Sequence, residues 1–181
     1  MKKTSVLSAA FTCLLAISLT VSVTADEQAG QEAQRILDAT GVKGGVVVHI
    51  GCGDGSLTAA LCANESYIVQ GLDDDAKNIE KARKHIRSPG LYGKVSIDQL
   101  RGDRLPYIDN FVNLVVSENM NEIPTGEVLR ILAPKGVAYI KKAGQWFKAV
   151  KERPAEIDDW THYLHDASGN AVAHEDRKSV V

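Results

Sequence analysis

Apolar positions along the chain change rhythm several times between residues 26 and 141. From Asp26 to Thr40, Ala29, Ala33, Ile36 and Leu37 recur at helical spacing, and Gly41 supplies a natural stop. Val46-Val47-Val48-His49-Ile50 is a short β-branched run, the mark of a strand buried on both faces. Asp54 to Ala63 returns to helical spacing through Leu57, Ala60 and Leu61. Tyr67 to Leu72 is a second strand that ends on Asp73-Asp74-Asp75. Ala76 to Ile86 is a charged amphipathic helix with Ile79, Ala82 and Ile86 on one face, and Ser88-Pro89-Gly90 breaks it. Lys94 to Leu100 reads as a third strand, Arg101 to Asn110 as a loop, and Phe111 to Val116 as a fourth strand. Thr125 to Leu132 is a helix, and Val137 to Lys141 a fifth strand.

Strands alternating with helices imply right-handed βαβ units and a mainly parallel sheet. The expected fold is α/β: a Rossmann-like three-layer sandwich around a doubly wound sheet. Past Gly144 no period is visible, so the sheet is expected to stop after its fifth strand and leave an edge for a partner or a further domain to cover.

The first 25 residues follow a different logic. Lys2 and Lys3 precede a mostly apolar run from Val6 to Val23, and Val23-Thr24-Ala25 places small residues before Asp26. This is the pattern of a cleaved export signal, with an uncleaved membrane anchor as its alternative. The expected organisation is a signal over 1–25, a domain over 26–143 and a tail over 144–181. After cleavage no stable membrane span is expected, and the location is periplasmic or extracellular.

Composition adds bounds. Apolar residues make up 44% and charged residues 24%, ordinary for a globular chain, and the net charge of -2 gives no basic surface for a nucleic acid. Of the three cysteines, Cys13 lies in the leader. Cys52 and Cys62 are separated by a helix, which places them too far apart to bridge.

The chemistry concentrates at the first strand-to-helix turn, Gly51-Cys52-Gly53-Asp54-Gly55. Glycines let the chain turn with positive φ and let a ligand approach the backbone, and a helix start behind them offers N–H groups. Asp73 closes the next strand 22 residues after Gly51, a spacing that suits a carboxylate on ribose hydroxyls. A nicotinamide dinucleotide site wants a third glycine where Ser56 stands, and no Tyr-x-x-x-Lys set accompanies it.

These segments resemble the class I S-adenosylmethionine (SAM)-dependent methyltransferases. Val47-Val48-His49-Ile50-Gly51-Cys52-Gly53-Asp54-Gly55 is similar to their first motif. Gly71-Leu72-Asp73 with Ile79-Glu80-Lys81-Ala82-Arg83 is similar to their second strand and helix. Leu105-Pro106-Tyr107, Asp109-Asn110 and Asn113-Leu114-Val115-Val116 resemble the stretch into the fourth strand. Glu127 to Gly136 resembles the segment before the fifth. The resemblance implies SAM as cofactor, with Gly51, Cys52, Gly53 and Gly55 lining its pocket and Asp73 on the ribose. It puts Asp98 or Asp103 near the adenine, and Ser117 to Asn119 beside the methyl-transfer site; no catalytic residue is assigned.

The chain departs from that family at His49, which stands where a carboxylate is usual, and at Asn113, which stands for an aspartate. Export would also separate the enzyme from a cytoplasmic cofactor. An exported, non-catalytic binding or interaction domain is therefore the second expectation. The segment Pro154 to Asp166 resembles the junction, in large secreted bacterial proteins, between a methyltransferase-like domain and a pyrroloquinoline-quinone-type propeller. Within it His162 and His165, at i and i+3, are expected to pack rather than bind a metal, because no fixed zinc spacing surrounds them.

Overall fold

The computed structural model describes residues 24–118 and 123–153. The apolar leader and the tail with His162 and His165 lie outside them. The described elements run α1 (Ala25–Thr40), β1 (Gly45–Ile50), α2 (Ser56–Leu61), β2 (Tyr67–Asp73), α3 (Ala76–Arg87), β3 (Val95–Gln99), β4 (Val112–Ser117), α4 (Thr125–Ile131), β5 (Leu132–Lys142) and β6 (Gln145–Val150).

One sheet holds all six strands in the order β3-β2-β1-β4-β5-β6, parallel except for β6. Successive side chains of a strand alternate between faces, and both faces here are buried. Val47, Val69, Val95, Leu114 and Val116 meet Ile36, Leu37, Leu61, Ile79 and Ile86 from α1, α2 and α3. Val48, Ile50, Leu72, Val115 and Ile140 meet Leu105, Val128 and Ile131 on the other side. The valine-rich strands thus follow from double burial, as the sequence pattern indicates.

The sixth strand corrects the expectation that the sheet ends at β5. Ala143 and Gly144, both at positive φ, turn the chain back, and Gln145–Val150 pairs antiparallel with β5 from Lys142 to Val137. Its outer residues are exposed, and Trp146 alone is half-buried, stacked on Tyr139 with ring centroids 4.7 Å apart. A strand with a single inward apolar side chain leaves no alternating signal. It falls in the stretch read from sequence as a tail, and it covers the β5 edge.

Lysines after the turn fasten this strand to both layers. Lys148 Nζ donates to Ala39 O and Thr40 O at the end of α1, each at 2.9 Å. Lys151 Nζ donates to Leu129 O and Leu132 O at the end of α4, at 2.7 and 2.8 Å. Helix ends leave carbonyls without intrahelical partners, and a cation there satisfies them and suits the helix dipole.

Asn113, one of the departures from the family pattern, has a structural role here. Its Oδ1 accepts from Val46 N at 2.9 Å, beside the bare Cα of Gly45, and so joins the starts of β1 and β4.

Candidate functional site

Helices on both faces and a strand order that reverses beside β1 create a switch point, and open α/β sheets bind ligands at the carboxyl ends of strands there. The chain leaves β1 at Gly51 (φ +78), passes Gly53 (φ +54) and enters α2 from Gly55 (φ +85). A side chain at Gly51 or Gly53 would meet nothing within 4 Å, so the bare backbone faces open space. Gly55 differs: a Cβ there would lie 2.9 Å from Ala82 Cα and Cβ. Its role is the close approach of α2 to α3, not a wall for a ligand.

Asp73 joins the loop to β2. It is only 4% exposed. Its Oδ2 accepts from Gly53 N at 2.9 Å, and its Oδ1 from Asp75 N at 3.0 Å and Asn78 Nδ2 at 3.1 Å. Spacing alone puts this carboxylate opposite the glycines; the fold brings the two into contact.

The loop amides do not face outward as its glycines suggest. Gly51 N and Cys52 N donate to Leu72 O, Gly53 N to Asp73, Gly55 N to Cys52 O, and Ser56 N to Asp54 Oδ1. Every one of these donors is taken within the chain, and α2 is too short to offer a strong terminus. The glycines therefore contribute space, while polar recognition falls to side chains and the Asp54 amide, which has no acceptor among these bonds.

A cavity of about 340 Å³ opens beside the loop, lined by Gln28, Ala29 and Glu32 of α1, His49, Gly51 to Asp54, Ser56, Leu57 and Glu118. Its charged side chains, Glu32, Asp54 and Glu118, are carboxylates, so the space favours a cation. His49 is 2% exposed, and its Nδ1 lies 2.8 Å from Thr58 Oγ1. Burial pushes its pKa down to about 4, against the opposing pull of Glu118 and Asp73. At neutral pH it is an uncharged imidazole. Burial, reinforced by Asp73, holds the Cys52 thiol up at about 12, which makes it an inert filler rather than a nucleophile.

Buried polar atoms are nearly always hydrogen-bonded. Among the described residues, the buried side-chain atoms left without a partner are His49 Nε2 and Ser117 Oγ. They end the two central strands: Ile50, next to His49, pairs with Ser117 across β1 and β4.

The two residues expected near an adenine are placed apart from this cavity. Asp98 accepts from Gln70 Nε2 at 2.9 Å and from Arg83 Nη2 at 3.2 Å, and it lines a second, wider groove along α3 and β3. Asp103 is exposed in the loop after β3. Sequence reasoning misses Thr58 and Glu32, while Glu118, within the stretch expected beside the methyl-transfer site, does line the cavity. Helical period marks which face of α1 is buried but not what its remaining residues overlook, and the Thr58–His49 contact joins a helix to a strand across the layer.

The resemblance motifs around Glu127 form a tie rather than a site. Arg130 donates to Glu127 Oε1 and Oε2 at 2.6 and 2.9 Å, Asp109 Oδ1 at 2.6 Å, Tyr107 O at 2.8 Å and Leu105 O at 3.2 Å. This fixes the 105–110 loop on α4. The Arg130 bonds hold Glu127 at about 2, and the two carboxylates hold the guanidinium well above its usual range.

Residues 47–136 match the family described as a methyltransferase domain. The chain is 33% identical over 96 residues to methyltransferase GfsG of Streptomyces halstedii, covering 50% of this chain and 34% of that one. It is 30% identical over 146 residues to a demethylmenaquinone methyltransferase of Lactobacillus johnsonii, covering 67% and 60%. It thus spans between a third and three fifths of the length of these relatives. Among solved structures it resembles a proposed SAM-dependent methyltransferase of Methanococcus maripaludis, with a TM-score of 0.57 and 28% identity over 64% of this chain and 56% of that one. The propeller-associated and non-catalytic readings draw no support from these similarities.

Proposed function

Because residues 47–136 form a methyltransferase domain of the class I SAM-dependent type, we propose that this chain binds SAM across the carboxyl ends of β1, β2 and β4 and transfers its methyl group to an acceptor held beside Ser117. The carrying observation is the bond from Gly53 N to Asp73 Oδ2, which fixes a carboxylate against bare backbone that faces open space. Bound SAM supplies a methyl group on a positively charged sulfur, open to in-line attack.

The residues fit that cofactor. Asp73 Oδ2 takes one donor and keeps acceptor capacity for a ribose hydroxyl. Glu32, Asp54 and Glu118 set a negative potential where a sulfonium and an ammonium would lie. The chain's own contribution is to hold the methyl group in line, which in such reactions supplies much of the rate. Ser117, fully buried at the end of β4, carries a hydroxyl without a partner among the described residues.

Calorimetric titration with SAM tests the reading. One-site binding by the wild type, weakened at least about tenfold in Asp73→Asn, is the expected result, since an amide cannot replace three accepted bonds. No heat at millimolar SAM overturns it.

We read residues 1–25 as an export signal, supported by Lys2, Lys3 and the apolar run that follows. Thr24, at the proposed cleavage site, caps α1 by accepting from Glu27 N at 3.4 Å, so processing would remove a helix cap. N-terminal sequencing of the protein recovered from cells should start at Asp26; an intact cytoplasmic chain argues against export.

A further inference from the structure

We propose that His49 Nε2 donates a hydrogen bond to the carboxylate at the amino-acid end of bound SAM, and so selects ligands that carry that group. The proposal rests on the SAM reading above and adds a residue to it.

The position of His49 in the cavity carries the inference. Nε2 is buried, without a partner among the described residues, on a side chain that lines the cavity. A group in that state is completed by something that enters. The orientation of the ligand follows from Asp73. Asp73 does not itself line the cavity but holds Gly53, which does; with the ribose at that end, the rest of the lining runs past His49 on β1 to Glu32 of α1 and Glu118. The part of SAM that reaches there is its zwitterionic end.

Charge then divides the two groups of that zwitterion. The ammonium suits Glu32, Asp54 and Glu118, which only accept when ionised. The carboxylate needs a donor among those same side chains. The amides of Gly51, Cys52, Gly53, Gly55 and Ser56 are already engaged, Gln28 is exposed at the mouth, and Ser56 is half-buried. His49 is the buried side-chain donor that remains, since the Asp54 amide belongs to an exposed loop residue. Thr58 Oγ1 lies 2.8 Å from Nδ1, and under this proposal the hydroxyl donates there, which leaves the proton on Nε2. Thr58 is thus a positioning residue for the tautomer.

The test uses three ligands on the whole chain: SAM, S-adenosylhomocysteine and decarboxylated SAM, which keeps the sulfonium and the ammonium. His49→Phe keeps a buried ring and removes both nitrogens. It should weaken the first two ligands by about tenfold, the cost of one charge-assisted bond, and leave the third unchanged. Equal loss for all three, or no loss, overturns the proposal while leaving the SAM reading intact. A wild type that binds none of the three sinks both. Should the variant not fold, long-range proton–nitrogen spectra of the wild-type imidazole separate the same alternatives. The Nε2-protonated form, with its proton moved downfield by the two carboxylate-bearing ligands alone, is expected; an Nδ1-protonated form overturns it.

Discussion

At the carboxyl ends of β1 and β4, His49 Nε2 and Ser117 Oγ are buried without partners among the described residues. At the opposite end of the sheet, Lys151 Nζ reaches Asn110 Oδ1, Leu129 O and Leu132 O, all within 2.8 Å, and Arg130 ties two carboxylates and two carbonyls. The same fold therefore gives its cations several acceptors each at one end and withholds partners at the other. Unmet buried polarity costs stability, so its confinement to the switch point separates the region that recognises from the region that holds.

The contrast sharpens with pH. His49 has a folded pKa pushed down to about 4 from an ordinary 6.5, so its contribution is full above pH 6.5 and is lost as pH falls through 4. Denaturant titrations across that window should show a loss of about 3 kcal/mol in the wild type and a flat profile for His49→Gln. The other end answers lower: Glu127, held at about 2, keeps its contribution above pH 4.5 and loses it as pH falls through 2. Equal slopes for wild type and His49→Gln between pH 6.5 and 4 would break the distinction.

Next in size is Lys151→Met. It keeps the aliphatic stem and removes three donors to α4 and Asn110, so unfolding free energy should fall by about 2 kcal/mol. Affinity of the folded protein for SAM should not change. A variant that loses binding as well would mean that the two ends are coupled.

The smallest effect is at Thr24. Thr24→Ala removes one exposed cap bond from α1 and should lower stability by about 0.5 kcal/mol in the uncleaved chain. The same substitution should leave SAM affinity unaltered, although α1 lines the cavity through Gln28, Ala29 and Glu32.

Much of this architecture is legible in the residues. Five strands stand out because the central strands β1 and β4 are buried on both faces and select β-branched residues, as at Val46-Val47-Val48 and Val115-Val116, while the edge strand β3 alternates buried Val95 and Ile97 with Ser96 and exposed Asp98. Spacing finds Asp73, because the parallel register of β1 and β2 fixes where the second strand must end. The strand Gln145–Val150 stays hidden because Phe147 and Val150, on opposite faces, are both exposed and Trp146 alone is half-buried. The glycine loop is legible as a turn, but not in the fate of its amides: which carbonyl a peptide N–H meets depends on the neighbouring strand. Gly55 looks like its two companions, and only its distance to Ala82 separates them. The pairing of His49 with Thr58 belongs to packing between layers, which a linear pattern does not encode.

Lys148 bridges 109 positions of sequence to reach Ala39 O. A ribosome releases the first helix long before it delivers that lysine. Until β6 has emerged, the last carbonyls of α1 lack the cation that caps them in the folded domain.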